Sequence, residues 1–252
     1  MICIIGGTGV YEIADKADSK REEVIKTVYG DVEVSFLTIE GNEVAFISRH
    51  ATGHSIPPHM INFKANIQAL KDIGVTQIIA TNSVGSLNLD LGPGDLVLAD
   101  DFLDFTIKRD KTFYDDKVVH VDVTTPYCPR LRDELMKCGS LKNGATLACT
   151  EGPRFETPAE IKMFSVLGAD LVGMTSLPEV VLAREKEMCY ASICIVSNYA
   201  AGISETKLTM EEVLEIVEAK KKDLVDIIYT AVKTLDDDFD CDCLHAIEEF
   251  KD

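Results

Sequence analysis

The stretch CTEGPRFETPAEIKMFSVLGADLVGMTSLPEVVLAREKEMCYASICIVSNYAAGIS, Cys149 to Ser204, carries helix and strand signals in alternation. Thr157 is placed as an N-cap, Pro158 stands at the first helical position, Glu160 is in capping-box register, and Gly168 closes the helix. Leu171 to Gly173 then reads as a short strand, Pro178 opens a second helix, and Tyr190 to Val196 is an apolar run of strand length. Helix, strand, helix, strand is the pattern of a sheet covered by helices.

The same alternation extends outward in both directions. Towards the N-terminus, Ile2 to Ile5, Val32 to Ile39, Glu43 to Ser48, Gln77 to Thr81 and Asp95 to Ala99 read as strands. Between the third and fourth of these lies a helix opened by Pro57 and Pro58 and closed by Gly74, with Met60, Phe63, Ile67 and Leu70 on one face. Towards the C-terminus, Thr209 and Glu212 start the longest helix, whose apolar stripe runs through Val213, Val217, Leu224, Ile228, Ala231 and Leu235. No repeat or flexible linker interrupts the series. The expected fold class is α/β: a single domain over residues 1–235 with a twisted mixed sheet flanked by helices, then an acidic, frayed C-terminal tail over residues 236–252.

Composition narrows the function classes. With 25 Lys and Arg against 43 Asp and Glu, the 252-residue chain carries a net charge of −18, a field that repels nucleic acid and anionic lipid. Its 46% hydrophobic content is too high for a disordered chain. No run of 18 apolar residues exists, and the apolar start ends at once in Gly6 and Gly7, so neither a membrane span nor a signal peptide is expected and the protein reads as soluble and cytoplasmic. Six of the eight cysteines, Cys3, Cys128, Cys138, Cys149, Cys189 and Cys194, are scattered and read as small buried hydrophobes. Cys241 and Cys243 form the one sequence pair. His245 is the only nearby partner, so no metal site is expected, and a local redox pair or plain tail cysteines are the readings left.

Three strand ends carry groups suited to an anion. The first strand runs into Gly6-Gly7-Thr8-Gly9, where backbone N–H groups can approach a ligand and Thr8 adds a hydroxyl. Alone this could be a bare tight turn, since it lacks dinucleotide-fold spacing and a P-loop lysine. Ser48-Arg49-His50 ends another strand, with His54 and His59 close behind. Arg49 can grip an oxyanion bidentately and His50 can donate to it in either protonation state, although pairing with nearby carboxylates would also explain them. A third strand ends in Asn82-Ser83-Val84-Gly85-Ser86, another glycine-bearing turn with polar groups. Together they suggest one phosphate site at the carboxyl edge of the sheet, and loss of Arg49 is expected to leave the fold intact.

GPRFET (Gly152 to Thr157), GADLVGMTSLPEVVLARE (Gly168 to Glu185), SRH (Ser48 to His50) and GGTG (Gly6 to Gly9) occur in an order that resembles the trimeric purine nucleoside phosphorylase and methylthioadenosine phosphorylase family, its archaeal methylthioinosine phosphorylases above all. The likeness runs from Ile4 to about Leu235. It implies a phosphorylase-type fold, inorganic phosphate as co-substrate, no cofactor and no metal, and a homotrimer or dimer of trimers. By the same resemblance Thr8, Arg49, His50, Asn82, Ser83 and Thr175 fall on phosphate-binding positions, Met174 on the ribose and Phe155 on the purine face. His120 and Phe113 fall in the segment by which one subunit completes its neighbour's pocket.

Two side chains bear on which purine is released. A 6-oxopurine carries a ring N–H beside its carbonyl, for which the carboxylate of Glu156 is the natural acceptor, although Glu156 could instead merely support the helix start at Thr157. Asn198 can donate to the 6-oxygen and accept from a protonated ring nitrogen. Adenine-specific members of the family usually place two aspartates where this chain has Asn198 and Ala200. The expected activity is therefore phosphorolysis of a 6-oxopurine nucleoside, with Asn198 and Glu156 as catalytic groups. An adenine-releasing methylthioadenosine phosphorylase is the alternative within the class, and a redox or non-catalytic nucleotide-binding protein the alternative outside it. Met210 and Leu214 resemble the positions that pack on a methylthio group, an assignment any core-facing helix would mimic, and His54 could serve a 5′-hydroxyl instead.

Overall fold

In a computed structural model, residues 1–7, 13, 16–204 and 209–250 are described, the side chains of Thr52 and Met210 apart. Thr8 and Gly9 lie outside the described residues. Among the described residues, eleven strands form one mixed sheet. Strands β2 (Ser19–Thr27), β3 (Gly30–Ile39), β4 (Asn42–Ser48), β1 (Ile2–Gly6) and β5 (Gln77–Ser86) follow one another across it, and β10 (Leu171–Gly173), β9 (Thr146–Thr150) and β7 (Asp101–Phe105) continue it. β11 (Cys189–Tyr199) runs parallel to β5 along its whole length, and β6 (Leu96–Leu98) and β8 (Lys142–Asn143) extend from it.

β1 explains why both faces need helices. Ile2 and Ile4 enter one core and Cys3 and Ile5 the other, so the strand reads as continuous apolar sequence. The face of Cys3 is covered by α1 (Phe63–Asp72) and α4 (Glu179–Glu185), and the face of Ile2 by α2 (Pro129–Met136) and α5 (Met210–Thr234). A smaller core joins α3 (Pro158–Val166) to β9 and β10 through Ile161, Phe164, Ala148 and Val172.

α3 starts as its sequence dictates. Thr157 accepts from the Glu160 backbone, and Glu160 reaches back to the Thr157 N–H. α1 corrects the expectation: Pro58–Met60 is a separate 3-10 turn, Met60 is 64% exposed, and the helix begins at Phe63 with Asn62 as N-cap. The strands β2, β7, β8 and β9 and the helix α2 are not among the elements expected from the sequence. The tail is not frayed over its described length either. Gln77 donates to the Asp236 carbonyl, the N-terminal amine pairs with Asp237, and 3-10 turns at Asp242–His245 and Glu248–Phe250 follow, with Cys243 buried.

β5 creates the crevice. Its first residues, Gln77 to Ala80, pair with β1, whereas β10 pairs only with Gly85 and Ser86. Thr81 to Val84 lie between, with β11 on their other side, so this edge of the strand faces a gap where the sheet changes partners.

Candidate active site

That gap opens into a cavity of about 740 Å3. Its polar end is lined by Gly7, Arg49, His50, Asn82, Ser83 and Thr175, and its other end by Phe155, Glu156, Met174 and Asn198, with Val213 and Leu214 of α5 at the side. Among the described residues, the sequence-derived phosphate, sugar and base positions therefore meet in one cavity. Asn82 and Ser83 belong to the interior of β5 rather than to a turn after it, because β11 pairs with the strand as far as Ser86. Gly7 is held by its N–H to Thr81 Oγ1 at 2.9 Å, and a Cβ there would lie 2.6 Å from the Thr81 carbonyl and 3.1 Å from Arg49 Nη1. Only glycine lets β1 end this close to β5 and Arg49.

Arg49 is fully buried and already engaged. Its Nε and Nη2 donate to the two carboxylate oxygens of Glu179 at 2.8 and 2.7 Å, and Nη1 donates to the Thr81 carbonyl at 2.7 Å. Of five guanidinium N–H groups, two are left for a ligand, so the free bidentate grip expected from the sequence is replaced by a fork braced from behind. Glu179, in the first turn of α4, also accepts from the Tyr190 hydroxyl at 2.7 Å. Burial opposes the Arg49 charge, but Glu179 more than offsets it, and the guanidinium stays protonated well beyond its ordinary range. Sequence reasoning missed Glu179. The only signal for it was a carboxylate placed directly after Pro178 and ahead of the apolar run Val180 to Ala183.

His50 also corrects its expectation. Its Nδ1 lies 2.8 Å from the Ile56 carbonyl, and burial lowers its pKa to about 4 although that hydrogen bond acts in the opposite direction. At neutral pH the ring is uncharged. A carbonyl can only accept, so the proton sits on Nδ1 and Nε2 is an acceptor. His50 can therefore receive a hydrogen bond from a protonated phosphate oxygen or a sugar hydroxyl, but it does not donate in this state. The His54 ring stacks on it at 4.1 Å, and burial lowers the His54 pKa too. Asn82 is fixed on both sides: it accepts from the Thr175 hydroxyl at 2.6 Å and donates to Ser192 Oγ at 2.5 Å.

At the end lined by Asn198, β11 loses register with β5 between Val196 and Asn198. This bulge turns the strand locally and brings Asn198 to the cavity. Asn198 Nδ2 donates to the Tyr199 carbonyl and its Oδ1 accepts from Ser197 Oγ, each at 2.8 Å, which leaves one N–H and one acceptor position. Glu156 Oε1 accepts from Thr150 Oγ1 at 2.6 Å, leaving Oε2. Phe155 is 45% exposed at the rim, a free ring face for a planar ligand.

His120 and Phe113, expected to complete a neighbour's pocket, do not line the cavity of their own chain. His120 is exposed and lines a separate groove with Arg130, Arg184 and the C-terminal turns. The Phe113 ring is buried in its own chain, 5.3 Å from Tyr29 and beneath Lys186 Nζ at 4.0 Å, so it is not available to a neighbour. Met210 opens α5, with its side chain outside the described set. The cysteines overturn another expectation: Cys128 and Cys189 are not scattered hydrophobes but converge on Cys241 and Cys243, with all four Sγ atoms within 4.8 Å of one another. His245 stands apart, its ring between Asp240 and Glu248.

Comparison with known proteins shows the family and agrees with the fold. A family model described as the phosphorylase superfamily matches residues 1–233. A protein of Methanothermobacter thermautotrophicus named "Probable S-methyl-5'-thioinosine phosphorylase" is 57% identical over 98% of this chain and 89% of its own length. The 6-oxopurine nucleoside phosphorylase of Pyrococcus furiosus is 48% identical over 98% of this chain and 97% of its own. Among solved structures, a methylthioadenosine phosphorylase from an antarctic soil metagenomic library superposes with a TM-score of 0.91 at 32% identity, covering 98% of this chain and 91% of that one. A family model that spans most of the chain, and relatives 57% and 48% identical over nearly all of it, leave one conclusion: the chain belongs to the phosphorylase superfamily.

Proposed function

We propose that this protein is a purine nucleoside phosphorylase, a pentosyltransferase that cleaves 6-oxopurine nucleosides with inorganic phosphate to the free base and a pentose 1-phosphate. S-methyl-5′-thioinosine is its preferred nucleoside. The observation that carries the reading is the hydrogen-bonding complement left at the base end. Asn198 has one N–H for the 6-oxygen and one acceptor position for a protonated N7, and Glu156 Oε2 accepts the N1–H that adenine lacks.

In the proposed reaction a phosphate oxygen attacks C1′ of the sugar while the C1′–N9 bond breaks and its electron pair passes to the purine. The nucleophile comes from solution, so the protein supplies position and charge stabilisation. The two remaining Arg49 N–H groups hold the phosphate, and Met174 lies along the sugar. Asn198 cannot act as an acid. Solvent delivers the proton to N7, and the amide oxygen then holds it. Val213 and Leu214 offer a 5′ substituent apolar contact and no hydrogen bond, which suits a thioether. The homo-oligomer, with the exposed His120 reaching a neighbouring cavity, belongs to the same proposal. Among the described residues no helix is long and apolar enough to cross a membrane.

The test is base release from methylthioinosine, inosine, guanosine and methylthioadenosine, each with and without phosphate. Phosphate-dependent release of hypoxanthine from methylthioinosine, with methylthioadenosine far behind, is expected. Asn198→Asp should narrow that gap, because a carboxylate no longer donates to the 6-oxygen. Equal turnover of both methylthio nucleosides, unmoved by Asn198→Asp, would refute the specificity assignment.

A further inference from the structure

Four cysteines from three distant parts of the chain meet on the side of the sheet covered by α2 and α5. Cys128 is the N-cap residue of α2, Cys189 is the first residue of β11, and Cys241 and Cys243 flank Asp242 at the C-terminal 3-10 turn. Every Sγ is within 4.8 Å of the other three, the Cys128 and Cys241 sulfurs are 3.6 Å apart, and Cys128, Cys189 and Cys243 are buried. None of the four lines the nucleoside cavity.

The surroundings supply donors to sulfur. The Leu131 N–H points at Cys128 Sγ at 3.4 Å, and Arg184 Nη1 donates to Cys243 Sγ at 2.9 Å. Arg184 is itself only 7% exposed, so a buried cation is aimed at a buried sulfur. Neutral thiols are weak hydrogen-bond acceptors and make little use of a guanidinium, whereas thiolates do. Four thiolates bring four negative charges to one buried point, more than one Arg and one N–H can balance, and a divalent cation at their centre is the missing charge.

We propose that Cys128, Cys189, Cys241 and Cys243 form a tetrathiolate site for one zinc-type divalent ion, which clamps the C-terminal segment to α2 and β11. With Zn–S bonds of about 2.3 Å, a tetrahedral site has sulfur-to-sulfur edges of about 3.8 Å, so the cluster needs only a small contraction and has no room for a multi-iron centre. Thiolate ligands select such a soft or borderline ion over magnesium or calcium. Binding is a proton exchange: each thiol that ligates gives its proton to solvent, the ion takes four sulfur lone pairs, no electron is transferred, and the dianionic product keeps its contacts to Arg184 and Leu131. Clamping also accounts for an ordered fold in a segment whose composition, from Asp236 to Asp242, is mostly acidic.

The full-length protein, purified anaerobically with reductant, is analysed for metal by mass spectrometry, then stripped with a chelator and titrated with zinc or cobalt. Expected are one zinc per chain, proton release on zinc addition, thiolate-to-cobalt charge-transfer absorption with tetrahedral visible bands, and a rise in the melting temperature. The Cys241→Ser/Cys243→Ser variant should lose the metal and the melting shift while nucleoside turnover stays within about twofold of the parent. Because the cobalt spectrum is read on the unaltered chain, a poorly folding variant leaves the test intact. Failure of the reduced parent to take up zinc and cobalt would overturn the proposal, as would zinc retained by the variant. Disulfide-linked Cys128–Cys189 or Cys241–Cys243 peptides that persist in reductant with excess zinc would also overturn it, making the cluster a covalent staple instead.

Discussion

At the scale of single residues, the proposed phosphate end is governed by what Arg49 does behind the cavity as much as by what it offers to it. Glu179 is completely buried, so removing its partner strands a carboxylate. Arg49→Ala should therefore destabilise the fold by about 3–5 kcal/mol as well as weaken transition-state stabilisation by about 2–4 kcal/mol, contrary to the expectation of an intact fold. Adding Glu179→Gln removes the stranded charge and keeps an acceptor for Tyr190. Calorimetry should show most of the lost melting temperature restored in the double variant, while its phosphate KM stays high. His50 makes a separate prediction. Its folded pKa near 4 lies below the unfolded value of 6.5, so between these values the unfolded chain binds the additional proton and stability falls as the pH drops. Urea midpoints measured without phosphate should decline from about pH 6.5 towards pH 4, and His50→Asn, which keeps a donor for the Ile56 carbonyl, should flatten that part of the profile.

At the scale of elements, the proposed base end depends on how β5 and β11 fit together. Gly85 pairs with Asn198 just past the bulge, and a Cβ on it would lie 3.1 Å from Asn198 Nδ2 and 3.3 Å from Val172 Cγ1. Gly85→Ala should push Asn198 from its position and lower turnover of 6-oxopurine nucleosides about ten- to hundred-fold, with the phosphate KM nearly unchanged. Equal losses for both substrates would mean that the alanine disturbs the whole crevice. The sequence reveals such elements unevenly, and for physical reasons. α3 announces itself through Thr157, Pro158 and Glu160 because a helix start is a local hydrogen-bonding problem. The polar run from Asn82 to Ser86 looks like a turn and is strand, because β11 imposes its pairing from more than a hundred residues away. β2 is hidden for the opposite reason. It is an edge strand whose SKREEVIKT sequence is almost wholly exposed, so no buried face marks its period. The residues of the cavity were nearly all legible from motifs, but the partners that hold them, Glu179 behind Arg49 and Ile56 behind His50, are contacts of the folded chain alone.

At the scale of the whole molecule, a net charge of −18 makes the protein's field hostile to anions, so the proposed capture of phosphate in the crevice rests on local N–H groups. The cavity of one chain is also open where α5 meets the rim, with Leu214 51% exposed there. His120 and the neighbouring Val118, 73% exposed, project from the same surface segment and make no contact with that cavity in their own chain. If a second copy covers the rim with this segment, each active site draws residues from two subunits, and subunits with different lesions can repair each other. His120→Ala should raise the nucleoside KM without moving the phosphate KM. The Arg49→Ala/Glu179→Gln chain should be nearly inactive because its own cavity cannot hold phosphate. When the two variants are unfolded together and refolded as a mixture, some sites will combine an intact cavity from one with an intact His120 from the other. Activity should then exceed the sum of the two variants refolded separately, and sedimentation velocity should report mixed assemblies of unchanged size. A mixture that merely averages its components, or a parent protein that sediments as a fully active monomer, would show that each cavity works alone and that His120 serves the groove of its own chain.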